Sequence, residues 1–331
     1  MGKIYRDAYW DTLKFVLISL VVLGHTLEMN IPDASFNRAL YNTIYLFHMP
    51  LFIFVSGRFS QIKERQKYKR GIFKLVETYI VFQILRSLIL PSLLGETLNW
   101  KYIVVPNWIM WYLMSLIWWR LFVYYIPSHI IREKRVEIII VSVLICLLSG
   151  FIPIGHPLEF QRTLVFFPFF ITGFYSTEID VKEKLSRIPI GWCIFFFLLV
   201  FAIFYYFLNF NLSWLLSAGQ HYWDSIPPMW MRIVSRIIYL PFAFGALCLF
   251  LRLIKTNQWF SKWGGQTMFI FIYHPYILDV IKFYVRDGKI DSCGASLYLY
   301  AVGVIVVLLL LSKIKFFHKL LNPLSKFCQI F

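Results

Sequence analysis

Residues 10–29, WDTLKFVLISLVVLGHTLEM, decide the fold. About 20 predominantly apolar residues are enough to cross a bilayer as a helix, and the few polar side chains in this run recur at helical spacing. At about 100° per residue, Asp11, Lys14, Ile18, Val21, His25 and Glu28 fall on one stripe, while Leu, Ile, Val and Phe fill the opposite face. A carboxylate, an ammonium and an imidazole on one side of a membrane-length helix must be sheltered inside a bundle or beside water. His25 lies about 16 Å beyond Lys14 along the axis, so the stripe carries polarity across much of the bilayer.

The rest of the chain agrees with that reading. Its 331 residues are 59% hydrophobic, 20% aromatic and 15% charged, with mean hydropathy +0.66, which excludes an ordinary soluble domain, where about a quarter of residues are charged. The fold class expected is an all-α polytopic membrane protein with about ten transmembrane helices in one bundle. The spans are placed at about 10–29, 43–60, 73–94, 108–126, 137–152, 163–176, 190–208, 233–254, 265–282 and 297–314. Tyr9 and Trp10, Trp108, Trp111 and Tyr112, Trp192 and Trp230 flank them as interfacial aromatics do. No repeat, long linker or separate soluble domain is visible, so 1–331 is taken as a single membrane-embedded domain, and the first apolar run as a retained span rather than a cleaved signal.

The net charge of +16 follows from topology. Alternate connections are basic: Arg58, Lys63, Arg65, Lys67, Lys69 and Arg70; then Arg132, Lys134 and Arg135; then Lys182, Lys184 and Arg187; then Arg252, Lys255 and Lys262; then the tail with Lys313, Lys315, Lys319 and Lys326. The intervening ones are sparse in base, with Arg38, Lys101, Arg162, Arg232, Arg286 and Lys289, mostly offset by Asp33, Glu96, Glu159 and Asp224. The positive-inside rule then places both termini in the cytoplasm, consistent with an even number of spans. No nucleic-acid partner is expected, because the basic residues sit in short connections rather than on a domain of their own. The five cysteines, Cys146, Cys193, Cys248, Cys293 and Cys328, form no CxxC pair and signal neither a disulfide framework nor a metal site.

Several groups of residues are candidates for chemistry. His25 and Glu28 form a pair at helical spacing in which an imidazole suits proton abstraction from a hydroxyl and the carboxylate suits its orientation. His48, in Phe47-His48-Met49-Pro50, is expected at the external start of the second span, where it shares a pocket with His25 or serves packing. Arg70, Lys74 and Glu77 share a face where the third span opens, and with Arg58 they offer positive charge to phosphates at a cytoplasmic mouth. Farther along that span, Tyr79, Gln83 and Arg86 form a second polar stripe, and Arg86 near mid-bilayer demands a carboxylate or ligand, with Glu28 and Asp279 as partners to consider. Tyr273-His274-Pro275, with Thr267 on the face of His274, and Phe167-Pro168-Phe169-Phe170 with Gly173 are proline-interrupted stretches that serve packing or expose backbone to a ligand.

Taken in order, these motifs resemble the acyltransferase 3 family of bacterial integral-membrane acyltransferases, and within it the fucose 4-O-acetylase branch. The resemblance runs through Arg6-Asp7, Trp10-Asp11, Lys14 and Val22-Leu23-Gly24-His25, then Phe47-His48-Met49-Pro50-Leu51-Phe52 and Ser56-Gly57. It continues through Lys69-Arg70, Trp111-Tyr112-Leu113, the Phe-Pro-Phe-Phe stretch with Gly173, and Ile272-Tyr273-His274-Pro275. It implies acetyl-CoA as acyl donor from the cytoplasmic side, a surface polysaccharide or lipid-linked glycan as acceptor, and a multi-pass protein of the bacterial inner membrane. It also implies His25 as the catalytic residue, with Arg70 and Lys74 at the donor. The family often shows a second arginine where this chain has Lys74, which keeps the charge but not the bidentate fork. Many relatives carry an added extracytoplasmic hydrolase-like domain, and none is expected here.

Both readings combine into one mechanism. Arg58, Arg70 and Lys74 hold the CoA phosphates, Asp11 and Lys14 support the site, and His25, assisted by Glu28, takes a proton from a sugar hydroxyl as it attacks the thioester. His48, Arg86, Tyr273 and His274 are candidates for holding substrate or stabilising the oxyanion. The alternatives are a multi-span transporter or flippase for a glycan or small anion, and a noncatalytic membrane partner in polysaccharide assembly. The absence of a repeat and the concentration of base at one mouth weigh against transport.

Overall fold

The structure, a computed structural model, describes residues 7–29, 35–89, 105–152, 157–209, 212, 228–292 and 294–321. Arg6, Asp33, Glu96, Lys101, Asp224, Cys293, Lys326, Cys328 and the last residues of the expected third span lie outside them. The described residues are helical and contain no strand. Among the described residues are ten helices of 14 residues or more: α1 Ala8–Leu27, α2 Phe36–Arg58, α3 Arg65–Ile84, α4 Met110–Tyr125, α5 Arg135–Leu148, α6 Phe160–Tyr175, α7 Ile190–Tyr206, α8 Met229–Leu253, α9 Thr267–Arg286 and α10 Ser296–Leu311. By length and composition, four stretches can cross a membrane: α1, α2, α8, and Gln258–Arg286, which contains α9. α7 and α10 are apolar but shorter.

Several boundaries differ from the sequence reading, for local reasons. α2 starts seven residues earlier than expected because Phe36 to Asn42 continue the helix, so His48 lies three turns in rather than at an entry. α3 begins at Arg65, before its apolar stretch, and passes at Leu85–Ile89 into a π-helical turn. Such turns commonly mark functional segments. α8 takes in Arg232, which the topology reading assigned to a connection; Arg232 and Arg236 are both buried, and Arg236 donates to Ser149 Oγ at 3.3 Å.

The chain divides into two compact units. One comprises Met1–Phe52, Asp180–Leu212 and Phe242–His318; the other comprises Ile53–Ile179, Ser213–Pro241 and Lys319–Phe331. In unit 1, α1 packs against the short helix Gln258–Trp263, α9 and α10. The contact with Gly264 is a close one, since a Cβ there would stand 2.6 Å from the Asp11 Cα. Hydroxyls that apolar surroundings cannot satisfy turn back on their own helix: Thr12 donates to the Ala8 carbonyl at 2.7 Å, Ser19 to Phe15 at 2.9 Å and Thr26 to Val22 at 2.7 Å. In unit 2, α5 packs on α6 and α4 on both α3 and α6. Trp119, almost fully buried, donates its indole N–H to the Thr163 carbonyl at 2.9 Å.

Large apolar side chains remain exposed on helical faces. Val136, Ile140 and Leu144 on α5, Phe195, Leu198 and Leu199 on α7, and Leu299, Val302, Val306 and Leu310 on α10 recur at the three- and four-residue intervals of one helix side. Stripes of this extent suit contact with hydrocarbon rather than water.

α1 begins at a side-chain cap. Asp7 accepts from the Tyr9 backbone N–H at 2.9 Å and pairs with Lys182 Nζ at 3.0 Å. Partial burial alone would raise the Asp7 pKa, but the Lys182 hydrogen bond and charge together with the backbone N–H groups hold it below its usual value. A carboxyl whose folded pKa is lowered stabilises the fold above its unfolded pKa and loses that contribution as pH falls through the folded value. Asp7→Ala is therefore expected to cost about 1 kcal/mol at neutral pH through the lost cap. Thermal unfolding of the two proteins in detergent should converge as pH falls below the usual carboxylate range.

Candidate active site

The polar stripe of α1 ends in a hydrogen-bonded cluster within unit 1. His25 and Glu28 sit on the last turn and C-cap of α1, where the imidazole Nδ1 is 3.1 Å from Glu28 Oε2. Nδ1 donates to the carboxylate, which leaves Nε2 as the lone-pair nitrogen of the neutral ring. This is the arrangement in which a carboxylate fixes the tautomer of a histidine base.

α2 supplies the rest. Tyr45 donates its hydroxyl to Glu28 Oε1 and stands 3.2 Å from His25 Nδ1. Tyr41, one turn away and stacked on Tyr45 at 3.9 Å between ring centroids, places its hydroxyl 3.3 Å from the same carboxylate oxygen. Gly24 allows this approach: a Cβ there would meet the Tyr45 ring at 2.8 Å. The sequence reading missed both tyrosines, because four-residue spacing along α2 does not reveal that this face meets the end of α1.

Two further histidines join the cluster through ring contacts. His274 of α9 stacks on His25, with centroids 5.5 Å apart and planes 16° from parallel. Its Nδ1 is bound to the Ile270 carbonyl at 3.0 Å, and the residue is fully buried. His48 lies against Tyr45 at 4.5 Å, with Nδ1 on the Ile44 carbonyl at 2.9 Å. In each ring a backbone carbonyl fixes the proton on Nδ1 and turns Nε2 the other way. Tyr273 is held differently: its hydroxyl donates to the Phe317 carbonyl at 2.8 Å. Asp11 and Lys14 pair with each other at 2.6 Å, and Asp11 is only 5% exposed, so they neutralise one another within the helix face that meets Gly264.

The basic candidates lie in unit 2. Arg58 donates to the Ser176 carbonyl at 2.5 Å and to its hydroxyl at 3.1 Å, which ties the end of α2 to the end of α6. Arg70 is half-buried and Lys74 exposed on α3. Arg86, 8% exposed, donates Nε to Asn107 Oδ1 at 3.1 Å and lies over the Trp108 ring at 4.8 Å. Asn107 also receives support from Gln83, whose Oε1 accepts from its backbone N–H at 3.0 Å. The second polar stripe of α3 is thus joined to the start of α4, a link no spacing in the sequence announces.

Comparison with known proteins adds a family. A family model described as an acyltransferase domain matches residues 7–313. The nodulation protein NolL of Mesorhizobium japonicum is 35% identical over 102 residues, 30% of this chain and 25% of that protein. The NolL of Sinorhizobium fredii is 46% identical over 59 residues, 17% of this chain and 16% of that protein. The matched region thus spans a quarter or less of these curated relatives. No solved structure matches.

Proposed function

The chain belongs to the acyltransferase 3 family, and from that premise we propose that it is a membrane O-acetyltransferase in which His25 acts as general base. The observation that carries this reading is the His25–Glu28–Tyr45 arrangement, a base with its tautomer set by a half-buried carboxylate that a tyrosine holds in turn. In the proposed step, His25 Nε2 takes the proton of an acceptor hydroxyl as its oxygen bonds to the thioester carbonyl carbon. Collapse of the tetrahedral intermediate breaks the carbon–sulfur bond, and the departing thiolate receives that proton from the imidazolium. Glu28 stabilises the imidazolium while it exists. His274 and His48 line the same cluster as neutral rings suited to holding an acceptor hydroxyl or the oxyanion.

The finer parts of the proposal rest on chemistry and patterning. Acetyl-CoA is the donor, its phosphates assigned to the basic opening of α3 with Arg70 and Lys74; the acceptor is a surface polysaccharide or lipid-linked glycan. The ten long helices are the ten spans of a protein of the bacterial inner membrane with both termini in the cytoplasm, as the alternating basic connections require.

Mass spectrometry of the host's surface glycans tests this. Deletion of the chain is expected to remove one acetyl mass from the glycan, and reintroduction of the unaltered chain to restore it. An unchanged acylation pattern after deletion would overturn the proposal and direct the work to transport of a glycan or small anion across the same membranes.

A further inference from the structure

The face of α2 that brings Tyr45 to the candidate base continues toward the start of the helix. Asn37, Tyr41, Tyr45 and His48 follow one another at intervals of four, four and three residues, so they lie on one strip of its surface. Tyr45 and Tyr41 place their hydroxyls at Glu28. Asn37, one turn beyond Tyr41, meets α10 instead: Tyr298, in the first turn of that helix, donates its hydroxyl to Asn37 Oδ1 at 2.5 Å. Neither Asn37 nor Tyr298 takes part in the catalytic cluster, yet both lie in unit 1 with it.

This end of α2 is held firmly. Asn209 donates to the Ser35 carbonyl at 3.2 Å, Asn42 to the Leu208 carbonyl at 3.4 Å, and Phe36 packs on Phe201 at 5.1 Å between centroids, which fixes the first turns of α2 to α7 and the residues after it. Asn37 and Tyr298 themselves are half-buried rather than sealed. With Asn37 Oδ1 taken by Tyr298, the amide N–H groups of Asn37 donate to none of the described residues, and the phenolic oxygen keeps its acceptor lone pairs. A fixed donor beside a fixed acceptor matches the neighbouring hydroxyls of a sugar, each of which both gives and takes a hydrogen bond. Asn37 stands about 12 Å along the helix axis from Tyr45. That is too far for a single sugar ring to touch both, and within reach of two linked rings.

We propose that Asn37 and Tyr298 form a subsite for a second sugar of the acceptor, the ring next to the one whose hydroxyl is presented to His25. The enzyme then selects chains of linked sugars over single ones. The assignment rests on the acyltransferase reading above, in whose topology the start of α2 faces the side from which the acceptor arrives. A lone sugar at His25 leaves the pair unfilled; a linked one adds its hydrogen bonds to binding, which raises kcat/KM through KM.

The experiment measures acetyl transfer from acetyl-CoA by the full chain, purified in detergent. The acceptors are made from the surface glycan of a deletion strain: monosaccharides by complete acid hydrolysis and short oligosaccharides by partial hydrolysis. The readout is kcat/KM for the oligosaccharides divided by kcat/KM for the monosaccharides. Wild type should favour the oligosaccharides, and Asn37→Ala and Tyr298→Phe should each lower the ratio about threefold to tenfold, with the change in KM. Tyr300→Phe removes a hydroxyl two residues farther along α10 that donates to the Asp291 carbonyl at 2.5 Å, and it should leave the ratio as it is. General damage to packing lowers both rates and spares the ratio. Unfolding midpoints identify a variant that has lost its fold, and Tyr298→Phe, which removes one oxygen, carries the comparison if Asn37→Ala is such a variant. Equal transfer to both acceptors by wild type, or a ratio unmoved in Tyr298→Phe, overturns the subsite and leaves His25 as the base. Transfer by wild type to neither acceptor removes the acyltransferase reading and the subsite with it.

Discussion

Replacement of His25 by alanine is expected to lower acyl transfer by about 10²- to 10⁴-fold, the range that a positioned general base contributes, while the protein still inserts and folds. The magnitude follows from the geometry. Nδ1 is committed to Glu28 at 3.1 Å, so only Nε2 can take the acceptor proton, and alanine leaves nothing in its place. His25→Gln should fail to the same degree, since an amide reproduces the size and hydrogen bonding of the ring without its basicity. Glu28→Gln is expected to lose less, about 10- to 10³-fold, because the ring keeps its nitrogen but loses the charge that stabilises its protonated form. The measurement is the initial rate of transfer by purified protein at saturating donor, with the unfolding midpoint recorded for each variant. Full activity in His25→Gln with a normal midpoint would remove the imidazole from the mechanism.

Placing a methyl group on Gly57 or Gly173 is expected to destabilise the protein by about 3 kcal/mol or more. The two glycines face each other's helices in unit 2. A Cβ on Gly57 would overlap the Phe170 carbonyl oxygen and stand 2.9 Å from the Phe174 nitrogen; one on Gly173 would overlap the Phe54 carbonyl oxygen and stand 2.8 Å from the Phe54 Cα. Every overlapping atom is backbone, so no rotamer change relieves it, and α2 and α6 must move apart at a reciprocal contact between small residues. Glycines with open space at the Cβ position supply the control. Gly191, Gly245 and Gly303 sit in helices with no atom within 4 Å of that position, and alanine there should raise stability by about 0.5–1 kcal/mol through helix propensity. Thermal unfolding in detergent distinguishes the two sets by sign. Loss of stability at all five positions alike would show that helix packing at Gly57 and Gly173 is not the cause.

The helical fold and the first actor in the site were legible in residues 10–29, because one helix period places Asp11, Lys14, His25 and Glu28 on a common face and makes their pairings local. The predicted pair of His25 with Glu28, and the pair of Asp11 with Lys14 that the structure adds on the same stripe, are each three residues apart and need no knowledge of any other segment. Glycines in Val22-Leu23-Gly24-His25 and in Ser56-Gly57 were legible as motifs, but not as contact points. That Gly24 admits Tyr45, that Gly57 admits the backbone at Phe170 and that Gly173 admits the backbone at Phe54 depend on which helices cross and at what height. The same holds for Tyr41 and Tyr45 at Glu28, for His274 over His25, for Asn107 and Trp108 at Arg86, and for Arg120 at Ser60. The sequence by itself determined a helical, largely apolar chain and the histidine–carboxylate pair, since helical period and hydropathy are properties of single segments. Only the tertiary structure decided which aromatic and basic side chains surround that pair, because those depend on distances between helices that sequence spacing does not encode.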